Sequence, residues 1–343
     1  MNAAQRFPLS GADLVLVGMS EFAHAPANNA LLVVECDHAV APERLRGAMG
    51  RFLEVCPWPA ARLERPFPWG ALHWVTERRH RDSAPAVHYR RAPQSALNGL
   101  IEAELSIPID PTRDSPMRFM IVDHRGSATT GTASLIMTWF HALMDPRGAQ
   151  NLLQHLATLD AHDGAVPWGD AAPAFFPARD PRPFLQRARV AGKCYDLLQR
   201  FANEPPLSPG TGVTSPGPLR FHHEKFIDSN ITAYSSTGKQ DFWFRLAVVG
   251  IAVADIARER GWPDHPLIVP ISLDQRRKGD PEPTFSNILG FHFARFRPSE
   301  AMDIESLANH LRNQVTDAIR EGAIDAITVG LEFLKYRRPA KIA

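Results

Sequence analysis

The chain is poor in cysteine and has almost no net charge. Its 343 residues include three cysteines, and these are too widely spaced for a disulfide framework or a Cys-x-x-Cys metal site. We therefore expect a reducing, cytoplasmic location. The 38 basic and 37 acidic side chains give a formal net charge of +1, so no excess of positive charge points to nucleic acid as a partner.

Long apolar runs are also missing. Residues 1–8 contain no basic segment followed by an apolar one, so the sequence predicts no secretory signal peptide. The longest apolar run, at 246–254, is far too short to span a bilayer and predicts a buried helix. Hydrophobic residues still make up 44% of the chain, enough for a substantial core. We expect a globular protein without a transmembrane segment, while peripheral contact with a membrane stays open.

The hydrophobic pattern predicts an α/β protein in two halves. Strands are expected at 14–17, 31–35, 117–122, 135–140, 267–273 and 291–296. Helices are expected at 42–55, 96–105, 185–201, 246–260 and 304–319. The segments 162–184 and 204–219 are too rich in proline for helix or central strand. The predicted organisation is an N-terminal lobe at 1–160, a proline-rich crossover with one helix at 161–220, and a C-terminal lobe at 221–343.

The segment 139–148, Trp-Phe-His-Ala-Leu-Met-Asp-Pro-Arg-Gly, places His141 and Asp145 in a turn between a buried strand and a helix. A neutral histidine near pH 7 is the usual general base for activating a hydroxyl, amine or thiol. Asp145 could orient the ring, or brace the turn through an arginine. With 14 histidines in the chain, this spacing also arises readily by chance. The alternative is a satisfied core histidine beside a helix-capping aspartate.

This segment resembles the His-His-x-x-x-Asp-Gly motif of the chloramphenicol acetyltransferase-like superfamily. That group includes the condensation domains of nonribosomal peptide synthetases and the wax ester synthase/diacylglycerol acyltransferases. His141 stands at the second, catalytic histidine and Asp145 at the aspartate. Other segments resemble the family in the same order along the chain: Pro-Leu-Ser-Gly-Ala-Asp at 8–13, Pro-Ala-Ala-Arg-Leu-Glu-Arg at 59–65, the stretch 107–118, Val-Pro-Ile-Ser-Leu at 269–273 and Ser-Asn-Ile-Leu-Gly at 286–290.

The resemblance implies a two-lobed α/β fold with mixed sheets flanked by helices, and His141 near the middle of a tunnel between the lobes. It implies transfer of an acyl group from a coenzyme A or carrier-protein thioester to a hydroxyl or amine, with His141 as general base and no covalent intermediate. The absence of a recognisable serine or cysteine nucleophile elbow agrees with direct transfer. The donor would be a co-substrate, acyl-CoA or a phosphopantetheine-linked acyl group, with no bound cofactor or metal. The other partners would be a small-molecule or lipid acceptor and an acyl carrier protein.

The resemblance also implies roles for residues around His141. Asp145 would brace the turn by pairing with an arginine, with Arg62 as the first choice and Arg65 as the second. Asn287 would line the tunnel or donate to the developing oxyanion, or would simply be a turn asparagine. Ser272 would face the tunnel, or would be a buried strand serine bonded to backbone.

For two polar clusters the sequence allows both a functional and a non-functional interpretation. Residues 276–278, Arg-Arg-Lys, could meet the phosphates of coenzyme A or an acidic carrier protein, or could serve solubility alone. The pair His222-His223 followed by Glu224 could suggest a metal site. Neighbouring residues of an extended chain point to opposite faces, however, so we predict no metal there.

The chain departs from the family pattern at three points. Phe140 replaces the first histidine, which is not the base in the relatives. Pro146 replaces the glycine of the motif, with Gly148 two positions later, which puts donor access in question. The C-terminal lobe is shorter than in the relatives, so it is reduced or the chain is incomplete. Two alternatives follow: a catalytically silent member that binds an acyl ligand or carrier protein, and a stand-alone peptide-condensation enzyme.

Overall fold

The computed structural model describes residues 5–23, 28–65, 67, 70–76, 84–124, 133–162, 182–207, 220–223, 242–276 and 285–333. The helices in these ranges are α1 (Gly11–Ala23), α2 (Pro42–Val55), α3 (Leu97–Ser106), α4 (Pro146–Ala161), α5 (Phe184–Asn203), α6 (Phe242–Glu259), α7 (Ile304–Arg320) and α8 (Ala323–Glu332). The strands are β1 (Gln5–Pro8), β2 (Asn29–Cys36), β3 (Arg62–Glu64), β4 (His73–Thr76), β5 (Ala86–Arg91), β6 (Met117–Asp123), β7 (Ala133–Phe140), β8 (Leu267–Asp274) and β9 (Leu289–Phe296).

The largest sheet has four strands in the order β2-β7-β6-β5. Its strands are antiparallel except for the parallel pair β5 and β6. β6 pairs with β7, with Met117 opposite Trp139, so the two predicted strands at 117–122 and 135–140 are neighbours. β7 is buried along almost its whole length, as expected for a central strand that is apolar apart from Ser134 and Thr138. The end of this rigid strand carries His141.

A three-stranded sheet, β1-β4-β3, completes the first half. Its core is aromatic: the rings of Trp58 and Trp74 meet edge to face with centroids 5.6 Å apart, a favourable geometry. α2 buries Leu45, Met49 and Phe52, which recur at helical spacing, in the same core and packs against α4. Both helices therefore support the turn that precedes α4.

In the second half β8 and β9 form an antiparallel pair beneath α6 and α7. α7 buries Leu307, Leu311 and Val315, as its periodicity predicts. α8 packs against α5 and α1. The approach to α1 is so close that a Cβ built on Gly11 would lie 2.1 Å from the carbonyl carbon of Leu331. α8 thereby connects the end of the described chain to its beginning.

The predicted strand at 14–17 is wrong, because these residues lie in α1. Ser10 and Asp13 form a reciprocal capping pair: the Ser10 N–H donates to Asp13 Oδ2 at 2.8 Å, and the Asp13 N–H donates to Ser10 Oγ at 3.2 Å. A Ser-x-x-Asp pair before an apolar run is a helix-start signal. Leu14 and Val17 are then buried on one helical face.

The sheets occupy separate parts of the two predicted lobes. The first two sheets lie within residues 5–140, and the β8–β9 pair lies within 267–296. The predicted crossover helix is α5. The boundary residues themselves stay predictions. Within the described part of the chain, no helix has both the length and the apolar character needed to cross a membrane.

Candidate active site

The His141–Asp145 segment is a tight turn between β7 and α4. His141 begins a short 3₁₀ helix, His141–Leu143, and its backbone N–H donates to the carbonyl oxygen of Asn28 at 2.8 Å. The indole Nε1 of Trp139 donates to the carbonyl oxygen of Met144 at 2.8 Å and closes the turn. Asp145 is the N-cap of α4. Bonds from three sides therefore fix the backbone around the histidine.

The imidazole of His141 is held by this backbone and not by a side-chain partner. The ring is half-buried, and its Nδ1 is buried with no hydrogen-bond partner among the described residues. The groups that donate to the Asp145 carboxylate are found elsewhere, so this carboxylate does not orient the ring. His141 is thus not a core histidine with both ring nitrogens hydrogen-bonded, which is the alternative that the sequence leaves open.

Asp145 is fully buried, with 0% of its side chain exposed, and accepts four hydrogen bonds. The N–H groups of Gly148 and Ile288 donate at 2.7 and 2.9 Å. The Arg276 guanidinium donates from Nη2 at 2.9 Å and from Nη1 at 3.0 Å. A bidentate arginine–carboxylate pair combines charge with fixed geometry. Asp145 therefore braces the turn against the second half of the chain.

The predicted partners of Asp145 are wrong. Arg62 begins β3, and Arg65 donates to the carbonyl oxygen of Gly70 at 2.8 Å. The actual partner, Arg276, follows β8 and reaches Asp145 across the fold. Its side chain is only 12% exposed and also bonds to Asp274 and to the carbonyl oxygen of Ser286.

Arg276 is therefore neither an exposed solubility charge nor free to meet coenzyme A phosphates or a carrier protein. Both interpretations offered for the 276–278 cluster are wrong at its first residue. Arg277 and Lys278 lie outside the described residues.

The segment 285–288 brings the second half of the chain onto this turn. The Phe285 side chain is buried in the core of the first half, edge to face with Phe52 at 5.5 Å between centroids. A Cβ built on Gly148 would lie 2.2 Å from the Phe285 carbonyl oxygen. The backbone of segment 285–288 thus needs a glycine at position 148, two residues after the position of the glycine in the family motif. Pro146 is exposed in the first turn of α4, where its missing N–H removes no helical bond.

Asn287 lies at the centre of this contact. Its Nδ2 donates to the His141 carbonyl oxygen at 3.1 Å and to Asp13 Oδ1 at 2.6 Å. Both amide hydrogens are used, so the predicted donation to an oxyanion is wrong for this arrangement. Asn287 is also not simply a turn asparagine, because its side chain bonds to His141 and Asp13.

Asp13 is a member of the site to which the sequence interpretation gave no role. It is 4% exposed, and burial raises its pKa to about 6 despite hydrogen bonds from Asn287 and Ser10. The Asp145 charge raises this pKa further. The Ser-x-x-Asp helix start was the available signal for its position, although that pattern does not reveal the contact with Asn287.

Ser272 and the paired histidines stand apart from this centre. Ser272 is exposed on β8, so the alternative of a buried strand serine is wrong, and its tunnel-facing role stays a prediction. His222 and His223 are described, whereas Glu224 lies outside the described residues. Among the residues that are described, no group of three or more histidine, cysteine, aspartate or glutamate side chains has a metal-binding arrangement.

Comparison with known proteins identifies the fold. No protein-family model and no curated protein matches the chain. The first condensation domain of the calcium-dependent antibiotic synthetase, in complex with substrate analogue 2a, is similar with a TM-score of 0.69 and 14% identity over 93% of this chain and 76% of that one. A variant of the starter condensation domain of rhizomide synthetase RzmA, in complex with C8-CoA and Leu-SNAC, is similar with a TM-score of 0.63 and 15% identity over 94% of this chain and 74% of that one. The chain therefore has the condensation-domain fold, as the motif resemblance predicts.

Proposed function

We propose that the protein is an acyltransferase that moves an acyl group from a thioester to a hydroxyl or amine. The observation that carries the proposal is the presentation of His141. Its backbone is bonded on both sides, by Asn28 and Asn287, while no described group bonds to its ring. A rigid backbone with an uncommitted imidazole suits a general base.

In the proposed reaction the neutral imidazole takes the proton of the acceptor O–H or N–H as that atom attacks the thioester carbonyl. The carbon–sulfur bond then breaks, and the imidazolium returns its proton to the leaving thiolate. No bond forms between enzyme and acyl group. Since Nδ1 of His141 is buried, Nε2 is the nitrogen that would face the acceptor.

The likeness to condensation domains supports an acyl thioester donor. The RzmA domain was solved with C8-CoA and Leu-SNAC. On this basis we take acyl-CoA or a carrier-linked acyl thioester as the donor, and a small molecule or lipid as the acceptor.

Release of free thiol tests the proposal. The protein is incubated with acyl-CoA donors of several chain lengths and a pool of alcohols and amines. We expect thiol release that depends on the acceptor, and a fall of about 100-fold or more in His141→Ala. The matched control is His88→Ala, an exposed histidine on β5, which should retain the wild-type rate. Full thiol release by a folded His141→Ala variant would contradict the proposed mechanism.

Two observations favour alternatives that the same assay separates. The condensation-domain likeness favours peptide-bond formation, for which C8-CoA as donor with Leu-SNAC as acceptor is the diagnostic pair. Pro146, at the position of the motif glycine, favours a silent member of the fold class. Calorimetric binding of acyl-CoA without thiol release from any donor would support that silent role.

A further inference from the structure

A buried hydrogen-bond chain links helix α1 to the backbone of His141. It begins at the Asp13 carboxylate, passes through the Asn287 amide and ends at the His141 carbonyl oxygen, with donor–acceptor distances of 2.6 and 3.1 Å. Asp13 and Asn287 are both buried. The chain joins three parts of the molecule: α1, the segment 285–288 and the His141 turn.

We propose that Asp13 and Asn287 are positioning residues that hold the His141 carbonyl, and through it the aim of the imidazole. This inference rests on the function proposed above, since it assigns the two residues a role in aiming the base. Neither residue touches the ring itself.

The carboxylate of Asp13 determines how the Asn287 amide points. An ionised carboxylate only accepts hydrogen bonds, so the amide must turn its nitrogen toward Asp13. The second hydrogen on that nitrogen then lies toward the His141 carbonyl, which also only accepts. With a neutral amide at position 13, either orientation of Asn287 would find a partner. The charge thus selects the orientation that holds His141.

The arrangement is unfavourable for stability, which supports a functional reason for it. Among the described residues, the hydrogen-bond partners of Asp13 are Ser10 and Asn287, which are uncharged, so no cation there compensates its buried charge. Burial of such a charge destabilises a fold unless the group is neutralised. Buried ionisable groups without a compensating charge concentrate at functional sites.

Asn287→Asp removes the hydrogen bond to the His141 carbonyl oxygen with little change in the shape of the side chain. A carboxyl group beside Asp13 carries at most one hydrogen, and the Asp13 carboxylate takes it, so the His141 carbonyl loses its donor. A displacement of about 1 Å in a catalytic group lowers the rate by about 100-fold. We therefore expect kcat to fall by about 100-fold, while the KM for the acyl donor stays near its wild-type value.

Asp13→Asn removes the selection but leaves one acceptor oxygen at position 13. The His141 carbonyl still favours the original orientation of Asn287, and the flipped orientation becomes only partly populated, so we expect a smaller fall in kcat, again with little change in KM. This variant also tests the inference if Asn287→Asp does not fold.

The matched control is Ser10→Ala. It removes the bond from the Asp13 N–H to Ser10 Oγ at the same helix start, and leaves the bonds of Asn287 to Asp13 and His141 in place. We expect a lower melting temperature and an unchanged kcat. A loss of kcat in all three variants that follows their loss of melting temperature would mean a structural role only, and would overturn the inference.

Failure of the inference and failure of the proposed function give different results. If the wild type shows no acceptor-dependent thiol release, or His141→Ala retains it, the proposed function falls, and this role falls with it. If His141→Ala is inactive and folded Asn287→Asp or Asp13→Asn has the wild-type kcat, only the positioning role falls. An inactive His141→Ala, a folded Asn287→Asp with reduced kcat and a fully active Ser10→Ala would together support it.

Discussion

Two buried carboxylates of the His141 site, Asp13 and Asp145, differ in how their negative charge is compensated. Their exposed fractions are 4% and 0%, and each accepts an N–H from the segment 285–288: Asp13 from the Asn287 side chain, and Asp145 from the Ile288 backbone. Only Asp145 also receives a guanidinium, that of Arg276.

The difference separates a brace from a positioning group. Asp145 is ion-paired and bonded on both oxygens, so it stabilises the start of α4 and ties it to the second half of the chain. Asp13 has neutral partners, and its burial raises its pKa to about 6, so its ionised form destabilises the fold at neutral pH. The two carboxylates should therefore respond differently to neutralisation.

Asp145→Asn should have the largest effect on stability. Removing one partner of a buried ion pair typically costs about 3–5 kcal/mol, and Arg276 would keep only the partly exposed Asp274 as its counter-charge. We expect a loss of this size in the free energy of unfolding, measured by urea denaturation, with a parallel loss of activity.

The control for that measurement is Asp274→Asn, since Asp274 also contacts Arg276 but is 43% exposed. An exposed ion pair contributes about 1 kcal/mol at most. Equal stability of the two variants would show that the Asp145–Arg276 pair is not a brace.

The next largest effect should be a pH dependence of stability that comes from Asp13. The unfolded chain has the usual aspartate pKa of 3.8, against about 6 in the fold. Between these values the folded state keeps a proton that the unfolded state has lost, so stability falls as pH rises from about 4 through about 6. The difference between the two pKa values corresponds to about 3 kcal/mol.

Asp13→Asn removes this titration. The unfolding free energy of the variant, relative to wild type, should therefore rise by about 2 kcal/mol between pH 4 and pH 7, the greater part of the full difference. Urea unfolding at a series of pH values measures the difference directly. Parallel curves for variant and wild type would mean that Asp13 is not a buried, uncompensated acid.

Hydrophobic periodicity predicted the elements in which buried residues recur over a long enough segment. α2 and α7 have clear stripes, and β6 and β7 have strong apolar runs, so their positions were predictable. The strands β1, β3 and β4 have three or four residues each, too few for an alternating pattern to stand out. The run at 14–17 fits a strand or a helix equally well, and only the Ser10–Asp13 capping pair decides for the helix.

The site was predictable as far as local sequence reaches. The turn that carries His141 and Asp145 follows from the change of pattern between β7 and α4. The partners of that turn depend on tertiary contacts: Arg276 lies 131 positions from Asp145, and Asn287 lies 274 positions from Asp13. Local patterns do not specify which of several arginines will meet a given carboxylate, and the prediction of Arg62 is wrong for this reason.

Gly148→Ala should have the smallest effect on stability, but it should disturb the hydrogen bonds of both carboxylates at once. A methyl group 2.2 Å from the Phe285 carbonyl oxygen can be accommodated only if segment 285–288 moves, because the obstacle is backbone. Overpacking of this kind costs about 1–3 kcal/mol. The shift would displace the donors to Asp13 and Asp145 together, so kcat should fall as well.

Gly50→Ala in α2 is the matched control. A Cβ there meets nothing within 4 Å, so alanine should stabilise the helix by up to about 1 kcal/mol. Equal stability of the two variants would contradict the close approach at Gly148. If segment 285–288 acts as one unit, the losses of kcat in Gly148→Ala and Asn287→Asp should not add in the double variant, since either change already releases the His141 carbonyl. Additive losses would instead mean that Gly148 supports Asp145 alone.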